Sequence, residues 1–429
     1  MVRIDSSQSG SVVITYPKDA YIFQPLQEAT ERHLGQAVKI FNTLEEANES
    51  KDNAKIVHIG EYEDLDHERL MTDPSHYMAN SYIYRKSLIR KNYLSNTIKI
   101  YTSKNPTSIL CKSFPESYNL ELDYAEFLDD SLDEVYELKC ELMENEQRSG
   151  SEQKTYILKP SMSDKGQGIR IFKTIDQLQD IFNSFEEDDT DDEDYGATSQ
   201  EADGNGIITS QLRHFVVQDY INDPLLLSQY DDRKFHIRCY VLCSNNLTVY
   251  VYKRMLMLFS ESKYIDPSTA ELDDEGVIPM DGHLTNTCLQ RDEKTVIEFG
   301  KSCLDDEIKT KIESQIFEIV EDLFKAAINV DKINFQPLPN AFEIYGLDFL
   351  VDSKLNVSLL EVNAYPDFKQ TGDDLKGLIY ELFDGVVKTS IKPFLQDDKS
   401  TENNETQKTE NLENINQNLH KVLSVDNNY

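Results

Sequence analysis

Two carboxylates and a carboxamide, Asp348, Glu361 and Asn363, sit in the stretch YGLDFLVDSKLNVSLLEVNAYP that runs from Tyr345 to Pro366. Apolar residues alternate at Leu347, Phe349 and Val351, a polar break follows at 352–356, and apolar residues resume, which is the pattern of a β-hairpin. Folded about Lys354 and Leu355, the hairpin sets Asp348 opposite Glu361, with Asn363 on the same face two residues on. Like charges directly opposite one another destabilise a sheet. Mg2+ between the two carboxylates relieves the repulsion, because it takes hard oxygen ligands and is commonly shared with substrate phosphates. The plainer alternative is a solvent-facing hairpin whose acids meet nothing else.

Two upstream segments weigh against that alternative. YILKPSMSDKGQGIRIF (156–172) reads as strand, glycine-bearing loop and strand, with Lys159 ending the first strand and Lys165 beside Gly166 and Gly168. Glycines let backbone N–H groups approach phosphate closely, and lysines neutralise it. The loop opens onto a strand and lacks GK[ST], so it is not the nucleotide loop that opens onto a helix. A surface hairpin with a glycine turn accounts for it equally. In FVVQDYINDPLLLSQYDDRKFHIRCYVLC (215–243), alternation puts Lys234, His236 and Arg238 on one strand face and Phe235 and Ile237 on the other. Three cationic or potentially cationic groups in a row suit a polyphosphate; a solvated strand face is the alternative.

The elements that must position these groups follow from the rest of the chain. Its 429 residues allow two or three domains and a large core. SVVITYP (11–17), the helix YIFQPLQEATERHL with Pro25 near its first turn, and AKIVHIG (54–60) form a strand–helix–strand unit, a small N-terminal α/β domain over 1–83. A central unit over 84–217 opens with the basic segment YRKSLIRKNYL (84–94), then an acidic helical stretch, then a strand at 155–160. Residues 186–194, EEDDTDDED, hold eight acids in nine positions and open a disordered insertion over about 186–206. A C-terminal unit over 218–395 includes a helix at 305–327 with Ile308, Ile312, Ile316, Ile319, Leu323 and Phe324 on its core face. Residues 396–429 read as a polar, disordered tail, within which Leu412, Ile415, Leu419, Val422 and Leu423 follow a helical stripe able to dock.

The formal net charge of −35 argues against direct nucleic-acid or anionic-membrane partners. The six cysteines show no CxxC pair and read as reduced thiols. The start, MVRIDSSQSG, has no apolar signal core, and no apolar run approaches the ~20 residues of a membrane span, so a cytoplasmic location is expected.

Taken in order, these segments resemble the ATP-grasp ligases, and more closely their tubulin–tyrosine ligase-like branch. The resemblance rests on FPESY (114–118), ILKPS (157–161), KGQGI (165–169), VVQDYINDPLLL, RKFHIRCYVL, HLTN (283–286), GLDFLVD and LLEVNAYP, spanning about 84–366. The KFHIRCY form and the acidic, asparagine-rich tail are similar to a fungal branch whose members associate with mRNA-processing bodies. The resemblance implies an α/β (α+β) class and an ATP-grasp fold with a small N-terminal α/β domain. It implies ATP and Mg2+ as cofactors and an amide formed through an acylphosphate on a protein or peptide acceptor. By the same resemblance, Lys159, Lys165, Gly166, Gly168, Lys234, His236, Thr285 and Asn286 hold the nucleotide, and Gln218, Asp219, Tyr220 and Ile221 form its adenine hinge. Asp348, Glu361 and Asn363 bind Mg2+. Arg238 faces the phosphoryl group, and Arg85 and Lys86 match a basic pair near the phosphate or acceptor site. A monomer or a heteromeric complex, with mRNA-decay proteins as partners in processing bodies, follows from the fungal branch. Two departures stand out: His236 replaces an acid of the family, and Leu258 replaces an arginine near the reacting end. They support an alternative function, a degenerate nucleotide-binding ligase that serves as a scaffold.

Overall fold

The computed structural model describes residues 10–50, 54–149, 152–163, 166–191, 213–270, 278–280, 282–285, 296–396 and 418–425. Four short apolar segments, β1 (Gly10–Ile14), β2 (Val38–Phe41), β3 (Lys55–Ile59) and β4 (Tyr77–Ala79), form an all-parallel sheet in the order β2-β1-β3-β4. The helix Phe23–Leu34 crosses from β1 to β2, with Pro25 in its first turn, where no helical N–H is lost.

The second sheet is antiparallel, in the order β5-β8-β6-β7, from β5 (Ser117–Glu121), β6 (Tyr156–Pro160), β7 (Arg170–Phe172) and β8 (His214–Asp219). Its core takes Leu128, Leu132, Leu138 and Leu142 from the acidic stretch, which is two helices, Leu128–Glu134 and Tyr136–Glu146. The helix Ile175–Asp191 corrects the start of the acidic insertion. Its buried stripe of Leu178, Ile181, Phe182 and Phe185 carries helical structure on through residue 191. The rest of the expected insertion, 192–206, lies outside the described residues.

The third sheet has seven strands. Its members are β9 (Arg233–Ser244), β10 (Thr248–Tyr252), β11 (Leu256–Lys263), β12 (Val296–Glu298), β13 (Phe342–Val351), β14 (Val357–Asn363) and β15 (Leu419–Ser424). One edge of β9 pairs with β11 and β10; the other pairs with β13, which in turn pairs with β14. Both faces of β9 are covered. Phe235, Ile237, Cys239, Val241 and Cys243 share a core with Ile312, Ile316, Ile319, Leu323 and Phe324 of the helix Asp306–Val330. On the other face, Tyr240 and Leu242 share a core with Val12, Ile14 and Leu26, so the N-terminal sheet and its helix pack against the third sheet.

The end of the chain corrects the expectation of a disordered or helical tail. Residues 419–424 are the strand β15, antiparallel to β10, with a bulge at Val249/Tyr250. Lys253 N donates to Asn418 O at 2.8 Å, Val425 N donates to Leu247 O at 3.1 Å, and the His420 ring lies on Phe317, 4.4 Å between centroids. A half-covered edge strand carries polar residues such as His420 and Lys421, which blurs the two-residue alternation that marks strands. Leu419, Val422 and Leu423 are only half-buried. We therefore expect amides of 419–424 to exchange with solvent roughly a hundred-fold faster than those of β9, through local opening. Native-state hydrogen exchange reads this; equal protection of the two strands would make β15 an integral part of the sheet.

Candidate functional site

The second and third sheets face each other across a cleft lined by Lys159, Gln218, Asp219, Tyr220, Ile221, Lys234, His236, Thr285, Asp348 and Glu361. Register explains the convergence. Lys159 on β6 lies two residues beyond the pairing of Ile157 with Gln218, and the even-numbered face of β9 turns Lys234, His236 and Arg238 toward the hairpin β13–β14. Lys159 Nζ donates to Gln218 Oε1 at 2.7 Å, and Gln218 Nε2 to Ser117 Oγ at 2.8 Å. Lys234 Nζ donates to Tyr220 Oη at 2.8 Å and lies 4.4 Å from the centre of that ring. Neither lysine forms an ion pair among the described residues, although both are buried. Buried ammonium groups outside an ion pair are costly, and a polyphosphate would supply counter-charge. Ile221 N–H, at the end of the hinge, also has no partner among the described residues. The residues present therefore fit a nucleotide.

Cations already surround the two carboxylates. Asp348 pairs with Glu361 and the register shifts at the next residue, Phe349. Arg238 grips Asp348 with two prongs, Nε to Oδ1 at 2.5 Å and Nη2 to Oδ2 at 3.0 Å. Lys91 Nζ lies 3.4 Å from Glu361 Oε2. Asn363 Nδ2 lies 3.3 Å from Asp348 Oδ2 and 3.4 Å from Glu361 Oε1. Burial pushes the Glu361 carboxyl up, but Lys91, Lys159 and Arg238 outweigh it and bring it down to about 2. Repulsion across the hairpin is thus relieved by Arg238 and Lys91 before any metal arrives, a correction to the expectation that a metal must do it. The donor set still suits Mg2+: two carboxylates, with the Asn363 amide able to turn its oxygen inward.

His236 Nδ1 shares a hydrogen bond of 2.6 Å with Thr285 Oγ1, and Nε2 lies 3.5 Å from Asp348 Oδ1 without bonding to it. Burial lowers its pKa, against the pull of Asp348. Leu258 is directly opposite His236 in the β11–β9 ladder and fully buried among apolar residues. The two positions at which the resemblance implies departures therefore face each other in one ladder, His236 against Leu258.

Other expected residues separate. Arg85 is buried, pairs with Glu343 and donates to Ser81 Oγ at 2.7 Å; its guanidinium lies 4.5 Å from the Tyr62 ring centre and 5.2 Å from that of Tyr365. Lys86, the next residue, opens the short helix Lys86–Ile89 and is exposed. Neighbours on a helix diverge by about 100°, so the basic pair splits, and Lys86 lines neither this cleft nor the cavity beside it. Gly166 and Gly168 hold φ of 80° and 70°, as their turn requires. Lys165 and Asn286 lie outside the described residues. Sequence reasoning missed Lys91 as a site residue, and His283, whose Nδ1 meets Tyr220 Oη at 2.7 Å. The signal for Lys91 was there, in a basic segment of an acidic chain.

A nucleotide held by the two clefted lysines would bind in a pH-dependent way. Burial pushes Lys234 down to about 7, with Lys159 adding to it. Burial also pushes Lys159 down to about 8, where Glu361 pulls back and Lys91 pushes further. A lysine depressed on folding binds fewer protons in the folded chain, so the free protein gains stability as pH rises from about 7 toward 10.5. A polyphosphate favours the protonated forms, so its affinity is fullest below about 7 and falls as pH rises through the free-state values. At pH 8 we expect uptake of on the order of one proton per ATP bound. Calorimetry in buffers of different protonation enthalpy measures it, and zero uptake would exclude these lysines as the phosphate cradle.

Comparison with known proteins follows the same lines. A model of the tubulin-tyrosine ligase family matches residues 64–400. The chain is 49% identical over 417 residues to a Saccharomyces cerevisiae protein named "Probable tubulin--tyrosine ligase PBY1", covering 94% of this chain and 54% of that protein. It is 45% identical over 392 residues to the Schizosaccharomyces pombe "Probable tubulin--tyrosine ligase C12B10.04", covering 90% of this chain and 92% of that one. The chain thus spans about half the length of the first relative and nearly all of the second. Among solved structures, the C-terminal domain of K. lactis Pby1 matches with a TM-score of 0.69 and 44% identity, over 97% of this chain and 99% of that one. That domain is described as an ATP-grasp enzyme interacting with the mRNA decapping enzyme Dcp2.

Proposed function

The chain belongs to the tubulin–tyrosine ligase family, and from that premise we propose that it is an ATP- and Mg2+-dependent carboxylate–amine ligase. The observation that carries this is the pair of buried lysines, Lys159 and Lys234, neither in an ion pair among the described residues, facing the Asp348–Glu361 carboxylates across one cleft. A substrate carboxylate oxygen attacks the γ-phosphorus; the new O–P bond forms as the bond to the β–γ bridging oxygen breaks, and ADP leaves with that electron pair. An amine then attacks the acyl carbon, loses its proton, and expels phosphate. Catalysis of this kind is positioning and charge neutralisation. Lys159 and Lys234 hold and neutralise the phosphates, the Gln218–Ile221 hinge takes the adenine, and Thr285 and His236 lie beside them. Asp348, Glu361 and Asn363 are the residues to hold Mg2+, which when bound neutralises phosphate charge. Arg238, held beside these carboxylates by its two-pronged contact with Asp348, would face the transferred group.

ADP release by the purified protein, measured with single amino acids and peptide acceptors against ATP alone, tests the reading. Stimulation by an amine and a carboxylate together supports it; ATP binding without turnover under every pairing leaves the scaffold. The scaffold reading has one specific support, the likeness over nearly the whole chain to a domain described as interacting with the decapping enzyme Dcp2. Under it, the protein is a partner of the decapping machinery and works in mRNA-processing bodies in the cytoplasm. Among the described residues no helix is long and apolar enough to cross a membrane.

A further inference from the structure

A cavity of about 950 Å3 shares Tyr220 and Ile221 with the nucleotide cleft and no other residue. The hinge meets there the helix Asp306–Val330, the turn of the β13–β14 hairpin and the short helix Leu110–Ser113. The long helix gives Glu318, Glu321 and Asp322, the chain after the hinge gives Asp223, and the hairpin turn gives Asp352; among the described residues the one cation on the walls is Lys112. Glu321 and Asp322 share Lys325, at 2.7 and 3.6 Å. Asp352 holds its own turn, accepting from Lys354 N at 2.9 Å and Asn356 N at 2.7 Å. Glu318, Asp223 and Lys112 are exposed, and none of the three forms an ion pair among the described residues. Ser113 adds a demand that charge alone does not make. It lines the same cavity at 4% exposure, and its hydroxyl has no hydrogen-bond partner among the described residues. A polar group left unpaired at that depth is costly.

We infer that this cavity docks an internal basic segment of a partner polypeptide, with lysine or arginine side chains against Glu318 and Asp223 and the segment's main chain hydrogen-bonded to Ser113 and Lys112. Charge sets the sign of the partner: an acidic segment meets five carboxylates, and like charges exclude the wrong partner. Hydrogen bonding sets its class. A polyamine carries donors only, so it leaves Lys112 without an acceptor, whereas a peptide brings carbonyl oxygens for Lys112 and Ser113 together with cations for the acids. The volume, at the upper end of the range for enclosed ligands, exceeds what a single cationic side chain fills. Docking here stands apart from the ligase reading, since it needs neither nucleotide nor turnover.

The test titrates the full chain with a fluorescent Lys-Ser-Lys-Ser-Lys peptide blocked at both ends, so that no chain terminus takes part. Salt is held at about 0.15 M, where charges more than about 8 Å away are screened and the net charge of −35 counts for little. The comparison probes are the blocked Glu-Ser-Glu-Ser-Glu peptide and unlabelled spermine as a competitor. The basic peptide is expected to bind about ten-fold or more tightly than the acidic one. Glu318→Gln with Asp223→Asn weakens it by about five-fold. Asp19→Asn with Glu49→Gln removes the same charge from exposed positions on the N-terminal unit and leaves the affinity unchanged. Ser113→Ala weakens binding by about three-fold, the loss of one hydrogen bond, with no change in its salt dependence. The free Ser113→Ala protein is at least as thermally stable as wild type, since it loses an unpaired hydroxyl, so weaker binding is not a failure to fold. Equal losses in the two double variants would overturn the inference, because total charge would then account for binding. Equal or tighter binding of the acidic peptide, no binding of either peptide, or no effect of Ser113→Ala would overturn it too. Spermine displacing the peptide at equal concentration would overturn the assignment to a polypeptide.

Discussion

Glu361→Gln leaves the fold intact, lowers phosphoryl transfer by about 10²–10³-fold, and abolishes the Mg2+ dependence of ATP binding. The substitution keeps the shape of β14 and removes one charge from a centre where Glu361 lies across from Asp348. Glu361 is ionised, held down to about 2 as Lys91, Lys159 and Arg238 together outweigh the upward push of burial. It is therefore a ready oxygen ligand, and Gln is a weak one. The variant also leaves Lys91 without its carboxylate, so ATP alone, without metal, should bind at least as well as to the wild type. A depressed carboxyl contributes stability above its unfolded value of 4.5 and loses it as pH falls toward 2. The variant should accordingly be slightly less stable than wild type at neutral pH and indistinguishable near pH 2. Asp348→Asn should impair metal dependence too, less than additively, because both groups act on one ion. ATP-induced thermal shifts with and without Mg2+ decide it: equal metal-dependent shifts in wild type and both variants would sink the metal assignment and take the centre out of the ligase reading.

Arg238→Met destabilises the protein by about 3–5 kcal/mol, the cost of leaving a buried carboxylate unpaired. Asp348 is 3% exposed, and the two-pronged Arg238 contact is its main compensation. The double variant Arg238→Met with Asp348→Leu should recover most of that loss, since apolar replacements of a whole buried pair are often neutral. On the proposed function, recovery of stability would not bring back ATP-dependent chemistry, because both the cation proposed to face the phosphoryl group and a proposed metal ligand are gone. The double-mutant cycle in denaturant separates the two consequences. A single variant costing less than about 1 kcal/mol would mean that Asp348 is not dependent on this arginine.

The hairpin was legible because two-residue alternation and a polar turn leave one register, and that register puts Asp348 against Glu361. The β9 face was legible for the same reason. What the pattern did not reveal was compensation. Arg238 was expected to look toward phosphate, and Lys91 was only one of several basic residues in a strip. Alternation tells which face a side chain shares, not which partner it chooses there. Arg85 and Lys86 read as a pair because they are adjacent, yet the start of a helix between them sends one to Glu343 and the other to solvent. At the acidic insertion, charge density pointed to disorder from 186, whereas Phe182 and Phe185 anchor a helix that continues to Asp191. The departures at His236 and Leu258 looked independent because twenty-odd residues separate them; the ladder makes them neighbours.

The strand β15 has a consequence for how the chain is made. It completes the sheet beside β10, yet it is separated from β10 by most of the C-terminal half of the chain. At a synthesis rate of about 5–20 residues per second, the β10 edge waits on the order of ten seconds for its own cover. An open strand edge is a template for any other chain, and a long sequence separation slows the closing step further. The nascent protein is thus exposed to misassembly on the ribosome between the emergence of β10 and that of β15. A premature stop after Leu395 should make that exposure permanent: such chains would keep their nucleotide cleft and be recovered from cells mainly as aggregates.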